Sequence, residues 1–329
     1  MRGSGIFCVI LGIVAAVAAG AAAAQGTAWK PTGNVEIGVA SGAGGASDRS
    51  ARLLQKLLLQ TALFQTISVA NRPGGGATVA WTYVSQRAGD PHYLATFSST
   101  MLTNHALGVG TLSYRDFTPL SILIREYPMI VVKAGSPISS TKELAARLKK
   151  DPASVSFSFA ASRGNHNHIL IGMIAQAAGA EAKSTKVVIV KSAGEGTSQV
   201  LGGHVDAYIG TLGTLAPLIE SGQLHALGIS APGRQPGKGA AIPTFREQGF
   251  NAVYSSWRGF IGPKGLTPAQ TAFWDQAFTR VVQAEDWKKD LEDNAWAEDF
   301  HGSSETPRLL ESEEMLIAKM LSDLGVLSK

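Results

Sequence analysis

The stretch VEIGVASGAGGASD, residues 35–48, decides the fold. Its first six residues are a short β-rich run, which predicts a strand that ends at a cluster of glycines. Apolar residues then recur with helical spacing between Ala51 and Leu58, while basic residues occupy the opposite face. A strand, a glycine turn and a helix in this order are the basic unit of an α/β protein.

The same order of strand, turn and helix recurs along the chain, and it starts afresh near residue 128. Further strands are predicted at 67–69, 93–97, 128–132, 155–160, 187–190, 205–209, 224–229 and 257–261. Helices are predicted at 77–86, at 144–149 after a capping signal that begins at Ser140, and at 169–178. Two more are expected to begin at Thr267-Pro268 and Thr306-Pro307. This rhythm predicts α/β halves in which helices cover both faces of a parallel sheet.

The length of 329 residues suits two domains of ordinary size with a cleft between them. We predict domain 1 at 25–127 plus 258–329 and domain 2 at 128–257, with hinge strands near 128–132 and 257–261. Ligands of open α/β sheets bind at the carboxyl ends of the strands. In both halves that edge carries turns rich in Gly, Ser, Thr and Asn, which suit a small polar ligand.

The first 24 residues have the pattern of a secretory signal peptide. Arg2 is followed by an apolar stretch at 6–19, and an Ala-x-Ala cleavage site lies at 22–24. As a membrane anchor the stretch is short. We therefore expect export to the periplasm. The one cysteine, Cys8, lies in this segment, so the mature chain has neither disulfides nor thiolate chemistry.

Charge and motifs exclude several classes of function. The net charge of +4 is small, and no basic run with interleaved aromatic residues predicts nucleic-acid binding. The motifs of serine hydrolases, zinc proteases and P-loop proteins are absent. No enzyme and no cofactor are predicted, although a Ser–His–acid set formed in space stays open as an alternative. No metal site is predicted either, because His166 and His168 have no acidic or histidine neighbours in sequence.

The glycine-rich loop at 41–48 is compatible with an anion. Glycines let the backbone approach a ligand closely, and the following helix offers free N–H groups at its start. A dinucleotide fingerprint fits poorly, because Ser47 stands at the third glycine position and Asn71 stands where an acid is required. A plain tight turn remains the alternative. For Asp48 we expect helix capping rather than ligand contact.

Two further turns carry cations. The turn at 161–168 is the most polar of the second half, and its Arg163 could hold a carboxylate through two hydrogen bonds. The turn at 191–196 combines Lys191 with Ser and Gly. For each turn the alternative is an ordinary solvated surface.

Five segments, in order, resemble the receptors of tripartite tricarboxylate transporters, the Bug family. They are AGGASDRSAR at 43–52, NRPGGG at 71–76, RDFTPLS at 115–121, VLGGHVD at 200–206 and SSWRG at 255–259. The resemblance implies a type II periplasmic-binding fold, in which two α/β domains joined by hinge strands enclose a ligand cleft. It also implies a carboxylate ligand that is delivered to a membrane permease, and we expect a monomer.

The resemblance also implies which residues line the cleft. On the side of domain 1 these are Ser41, Gly42, Ala43, Gly44, Gly45, Ser47, Ser98, Ser99 and Thr100. On the side of domain 2 they are Ser162, Arg163, Asn165, His166, His168, Lys191, Ser192, Gly194, Gly210 and Thr211.

The chain departs from the family pattern at the pocket. Ala43 replaces a proline, the turn at 161–168 is bulkier and more basic, and the segment at 188–192 loses a tyrosine. The identity of the ligand is therefore not carried over. Our hypothesis is that Arg163, with His166, recognises a second acidic group or an aromatic ring. A periplasmic sensing subunit and a periplasmic enzyme remain alternative functions.

Overall fold

The structure is a computed structural model that describes residues 29–160 and 162–327. The predicted signal peptide lies outside the described residues. Strand and helix segments alternate as the sequence predicted, and the strands form two sheets with helices packed against them. This confirms the predicted α/β class.

The first sheet has six strands in the order β11-β4-β10-β3-β1-β2. Their bounds are β1 Val35–Val39, β2 Ile67–Asn71, β3 Tyr93–Ser98, β4 Phe117–Glu126, β10 Ser256–Pro263 and β11 Ala297–His301. β1 pairs in parallel with β2 and β3, whereas β10 is antiparallel to β3 and β4, and β11 is antiparallel to β4. The sheet is therefore mixed rather than wholly parallel, because β10 enters it from the second half of the chain.

The second sheet has five strands in the order β7-β6-β8-β5-β9. Their bounds are β5 Pro128–Lys133, β6 Ser156–Ala160, β7 Lys186–Val190, β8 Ala207–Thr211 and β9 Leu224–Ile229. β6 is parallel to β7 and β8, and β5 is antiparallel to β8 and β9. This sheet is also mixed, because its antiparallel strand, β5, comes directly after β4 of the first sheet.

Ten α-helices connect these strands within the described residues. They are α1 Ala46–Gln60, α2 Thr78–Ser85, α3 Thr100–Ala106, α4 Thr141–Lys150, α5 His166–Ala177, α6 Ala193–Gly202, α7 Leu212–Glu220, α8 Pro268–Gln283, α9 Glu285–Asn294 and α10 Thr306–Asp323. The predicted starts are confirmed at Ser140 and Thr267, whose hydroxyls accept first-turn N–H groups of α4 and α8. The sequence did not predict the strands β4 and β11 or the helices α3, α6, α7 and α9.

The chain crosses between the sheets at two places, at Tyr127 and within residues 251–255. The crossings lie side by side, because Ser230 at the end of β9 donates its N–H to Pro128 and accepts one from Tyr254. β5 and β10, the strands predicted near the hinge, are therefore the first strands after each crossing rather than shared between sheets. The predicted division into two domains stays a prediction.

A helical contact also joins the two halves. α5 packs on the second sheet with one face, while its Ile169 joins a core cluster that includes Leu321 and Leu324 at the end of α10. Gly172 permits this contact, since a Cβ there would lie 2.9 Å from the Leu324 side chain. The first turn of α5 is thereby held against the first half.

Candidate functional site

A cavity of about 320 Å³ lies at the carboxyl ends of β1 and β3. It is lined by Ala40, Ser41, Ser47, Gly76, Ala77, Trp81, Thr96, Phe97, Ser98, Thr100, His166, Ser256 and Arg258. Twelve of these thirteen residues belong to the first-sheet half, and only His166 comes from the second. The cavity is therefore built on one sheet edge and closed from the other side by the start of α5.

The loop between β1 and α1 is fastened from behind by Asp48. Its carboxylate accepts hydrogen bonds from the Gly44 N–H at 2.9 Å, from the Asn71 amide at 2.8 Å and from the Arg52 guanidinium at 3.0 Å. Burial alone would raise the pKa of Asp48, but these hydrogen bonds from Arg52, Gly44 and Asn71 outweigh it and lower the pKa. Asp48 does not line the cavity. It does not cap α1 as expected either, because it accepts the N–H of Gly44, which precedes the helix, and α1 has no side-chain cap.

The amino terminus of α1 lies beside the cavity and has no side-chain cap. Gly45, its N-cap residue, provides no side-chain hydrogen bond to the first-turn N–H groups. Ser41 and Ser47, on either side of Gly45 in sequence, both line the cavity. Unsatisfied N–H groups and the positive end of the helix dipole favour an anion at such a place.

Trp81 forms an apolar floor. Its ring is 1% exposed, and its Nε1 donates to the Thr96 carbonyl at 3.1 Å. The hydroxyl of Thr96 in turn accepts the Ala40 N–H at 2.9 Å. This chain of contacts ties the indole to β3 and to the end of β1, so that the floor is rigid.

The glycine turn after β2 supplies a second backbone wall. Gly74, Gly75, Gly76 and Ala77 all have positive φ, and for Ala77 the value is +84°. An alanine rarely adopts this region, because its Cβ crowds the backbone. Asn104 on α3 holds the turn through a 2.6 Å hydrogen bond from its amide to the Gly76 carbonyl. The strained turn is thereby kept against the cavity.

Arg258 reaches the cavity from β10. Because β10 is antiparallel to β3, Arg258 pairs with Ser98, and the amino end of β10 lies beside the carboxyl end of β3. The Arg258 Nη1 donates to the carboxylate of Glu126, the last residue of β4. Glu126 also accepts the Trp296 indole N–H at 2.6 Å, so both of its oxygens are engaged.

His166 faces Arg258 and Glu126 from the first turn of α5. Burial and, second, the positive charge of Arg258 lower the pKa of His166, while the negative charge of Glu126 raises it. The net effect lowers the pKa of His166 to about 4. The imidazole is therefore neutral at neutral pH. It offers the cavity one hydrogen-bond donor and one acceptor rather than a charge.

Comparison with known proteins identifies the family. The model of the tripartite tricarboxylate transporter family receptor matches residues 51–325. The chain belongs to this receptor family. Protein BugT of Bordetella pertussis is 28% identical to it over 290 residues, which cover 85% of this chain and 83% of that protein. The resemblance noted in the sequence is thus confirmed.

Solved structures agree on the fold. A TctC solute-binding protein from Polaromonas superposes with a TM-score of 0.76 at 19% identity, covering 89% of this receptor and 99% of that chain. The R. palustris protein Rpa4515, solved with adipate, superposes with a TM-score of 0.75 at 21% identity, covering 90% and 98%. The receptor therefore has the predicted periplasmic-binding fold.

The structure brings five of the predicted site residues to the cavity. These are Ser41, Ser47, Ser98, Thr100 and His166. The other residues predicted in the first loop, Gly42, Ala43, Gly44 and Gly45, shape that loop without lining the cavity. Ser99 is 2% exposed, and its hydroxyl lies 3.5 Å from that of Ser256 behind the cavity wall.

The predicted residues of the second sheet mostly serve their own helices. Asn165 caps α5, with its side-chain oxygen 3.1 Å from the N–H groups of Asn167 and His168. Ser192 caps α6 by accepting the Glu195 N–H. Apart from His166, none of the residues predicted on the second-sheet side lines the cavity. The nine others are Ser162, Arg163, Asn165, His168, Lys191, Ser192, Gly194, Gly210 and Thr211. Their contact with a ligand stays a prediction.

One of these residues, His168, differs in surroundings from what the sequence indicated. His168 is 3% exposed, accepts the Gly164 N–H at 3.0 Å and stacks on Phe159, because the expected turn is already the first turn of α5. Burial and, second, the positive charge of Arg163 lower the pKa of His168 to about 4. Arg163 itself is exposed.

Sequence reasoning missed the residues from strands that run the other way. Ser256 and Arg258 lie at the amino end of a strand, whereas ligand-binding residues were expected at the carboxyl ends of strands. A signal was present, since Arg258 is a charge inside the apolar run 257–261. A charge in a buried strand requires a partner or a ligand.

A larger cavity, of about 650 Å³, lies between the start of α7, the loop at 235–238 and the α9–β11 region. Its charged lining consists of Lys238, Lys288, Glu292, Asp293 and Glu298, three acids against two lysines. No Ser or Thr is among the described residues that line it. An anion would meet net negative charge there, so the smaller cavity is the better site for one.

Within residues 29–160 and 162–327, no cluster of His, Cys, Asp and Glu side chains is suited to bind a metal ion. In the same part of the chain, no helix has the length and hydropathy that crossing a bilayer requires.

Proposed function

We propose that this receptor captures a small carboxylate in the periplasm and passes it to membrane permease subunits without chemical change. The observation that carries the proposal is the lining of the 320 Å³ cavity. Around the apolar floor of Trp81 it combines the uncapped start of α1, the guanidinium of Arg258 and five hydroxyl side chains. These five are Ser41, Ser47, Ser98, Thr100 and Ser256. Anion-binding groups around a small apolar floor match a short organic acid.

The family supports each part of this proposal. Its name describes receptors of a transporter, and one solved neighbour, Rpa4515, holds adipate. Delivery to a permease and a periplasmic location follow from that role, together with the signal-like sequence at 1–24.

Isothermal titration calorimetry of the purified mature protein tests the proposal. Succinate, adipate, citrate and benzoate form the acid panel, and the corresponding neutral amides form the control panel. We expect at least one acid to bind, and to bind more tightly than its amide. Binding of amides but of no acid would contradict the carboxylate assignment.

Catalysis and location are tested separately. Mass spectrometry of each bound acid after long incubation with the receptor should return the acid unchanged, and a new product would indicate an enzyme. Osmotic-shock fractionation of the native host should release the receptor with periplasmic markers. Uptake of the bound acid should fall when the receptor gene is deleted and should recover when it is restored.

A further inference from the structure

Arg258 is the cationic side chain that the described residues contribute to the lining of the 320 Å³ cavity. The remaining lining consists of hydroxyl, apolar and glycine residues together with His166, which is neutral at neutral pH. The full positive charge in the site is therefore concentrated at one position, at the amino end of β10. A ligand with a localised negative charge has one strong electrostatic partner.

The Arg258 side chain is held from behind. Its Nη1 is bonded to Glu126, and the side chains of the two residues are 17% and 9% exposed. The indole N–H of Trp296 holds the second oxygen of Glu126 at 2.6 Å. Because both oxygens are engaged, Glu126 cannot swing away, and the guanidinium keeps one orientation toward the cavity.

Most donors of Arg258 remain available. A guanidinium carries five N–H groups in a fixed fork, and the one hydrogen bond that Arg258 donates within the described residues uses Nη1. None of its nitrogens is both buried and without a partner. The free donors therefore remain accessible to a ligand, as a fork suited to a carboxylate.

We propose that Arg258, positioned by Glu126, is the specificity-determining residue of this receptor, and that it makes an ionised carboxylate obligatory at the β10 end of the ligand. His166 completes this end as a neutral hydrogen-bonding group from the second half. A ligand with an amide or an ammonium group at this position is rejected. The inference rests on the proposed function and names the residue that reads the ligand's charge.

The test compares acid with amide by calorimetry in the wild type and in four single variants. Each acid of the panel that binds is paired with its amide, such as adipate with adipamide or benzoate with benzamide. In Arg258→Gln we expect affinity for the acid to fall about 10- to 100-fold, the range for a hydrogen bond to a charged group, while affinity for the amide changes little. Arg258→Lys keeps the charge but loses the fork, so a smaller loss is expected.

Arg163→Gln carries the rival hypothesis from the sequence, and Arg147→Gln is the matched control, an exposed arginine on α4. Both should keep the acid affinity of the wild type within about twofold, as expected for surface substitutions. The proposal is overturned if Arg258→Gln keeps the preference for acid over amide, or if Arg163→Gln loses it instead. If the wild type binds no acid, the proposed function fails and the inference with it.

Folding is controlled with a double variant. Arg258→Gln alone leaves the buried Glu126 carboxylate without its charged partner, which destabilises a protein. Glu126→Gln/Arg258→Gln removes both charges, so its thermal unfolding should be closer to that of the wild type. We expect this variant to lose the preference for acid as fully as Arg258→Gln. If it keeps the preference, Arg258 is not the residue that reads the charge.

Discussion

The two sheet edges carry similar loop sequences but differ in how the starts of their helices are capped. Both carry turns rich in Gly, Ser and Asn followed by helices. At the first-sheet edge, residues 40–47 and 96–100, the start of α1 has no side-chain cap and several of these residues line a cavity. At the second-sheet edge, residues 162–168 and 191–194, Asn165 and Ser192 cap α5 and α6.

The difference lies in where the helix N–H groups find their partners. An anion site at a helix start requires that the first-turn N–H groups are not already satisfied by the chain itself. Ser192 accepts the Glu195 N–H, and the Glu195 carboxylate accepts the Lys191 N–H, so the start of α6 is closed by its own side chains. We therefore expect the first-sheet edge to bind the ligand and the second-sheet edge to cover it.

The largest effect is expected where the first-sheet edge depends on the core. Trp81→Ala should lower the free energy of unfolding by about 3–5 kcal/mol, because it leaves a cavity under the site. Ligand affinity should fall in parallel, since the floor is lost. Urea unfolding and calorimetry measure the two effects, with Trp81→Phe as the matched control that keeps an aromatic floor. If Trp81→Ala binds the ligand as tightly as the wild type does, the indole is not part of the site.

At the second-sheet edge, we expect the stability of the fold to depend on pH through the buried His168. Burial and then Arg163 lower the pKa of His168 to about 4, below its ordinary value of 6.5, so the unfolded chain binds more protons between these values. Stability is therefore lost as the pH falls, by about 2 kcal/mol for one such histidine between about pH 7 and about pH 5. His168→Asn keeps an acceptor for the Gly164 N–H but cannot be protonated.

Urea unfolding of His168→Asn and the wild type at both pH values measures this contribution. The variant should lose less stability on acidification than the wild type, and the remaining loss should include that of His166, whose pKa is lowered in the same direction. Equal losses in the two proteins would mean that His168 is not held neutral by the fold.

The cap of α5 is the next test. Asn165→Ala removes the acceptor of two N–H groups and the donor to the Ala160 carbonyl, so we expect a loss of about 1 kcal/mol in the free energy of unfolding. Ser192→Ala is the matched change at α6. Thermal unfolding and calorimetry should show reduced stability with ligand affinity nearly unchanged. A large loss of affinity at unchanged stability would instead make Asn165 a ligand contact.

The smallest change in stability is expected when the first-sheet edge is given the cap that the second already has. Gly45 has φ −72° and ψ 166°, which any residue adopts, and a Cβ there would meet Ser41 at 3.4 Å. Gly45→Ser should stabilise α1 by a few tenths of a kcal/mol, about the difference between these two N-caps. Its hydroxyl competes with the ligand for the helix N–H groups, so acid affinity should fall up to about tenfold.

Gly45→Ala is the control for that change, because it adds a Cβ without an acceptor. If Gly45→Ser and Gly45→Ala bind acids equally well, the start of α1 takes no part in binding. The comparison between the two sheet edges would then rest on the side chains alone.

Local signals in the sequence predicted much of this structure. The positions of most strands, the caps at Ser140 and Thr267 and the glycine loop at 41–48 depend on neighbouring residues, and they fold as the sequence indicated. The same signals misplaced the start of the helix that follows Asn165. Asn165 caps α5, so the helix begins at His166, three residues earlier than predicted.

The sequence by itself determined the α/β class, the family and the loop at the end of β1, because these depend on short-range patterns and on motifs in order. Only the tertiary structure decided that Arg258, Glu126 and His166 meet. They lie far apart in the chain and are brought together by antiparallel pairing of β10 with β3 and β4, and by the packing of α5 against α10. Strand direction is a property of the whole sheet, so no local pattern could show that the amino end of β10 would lie at the ligand edge.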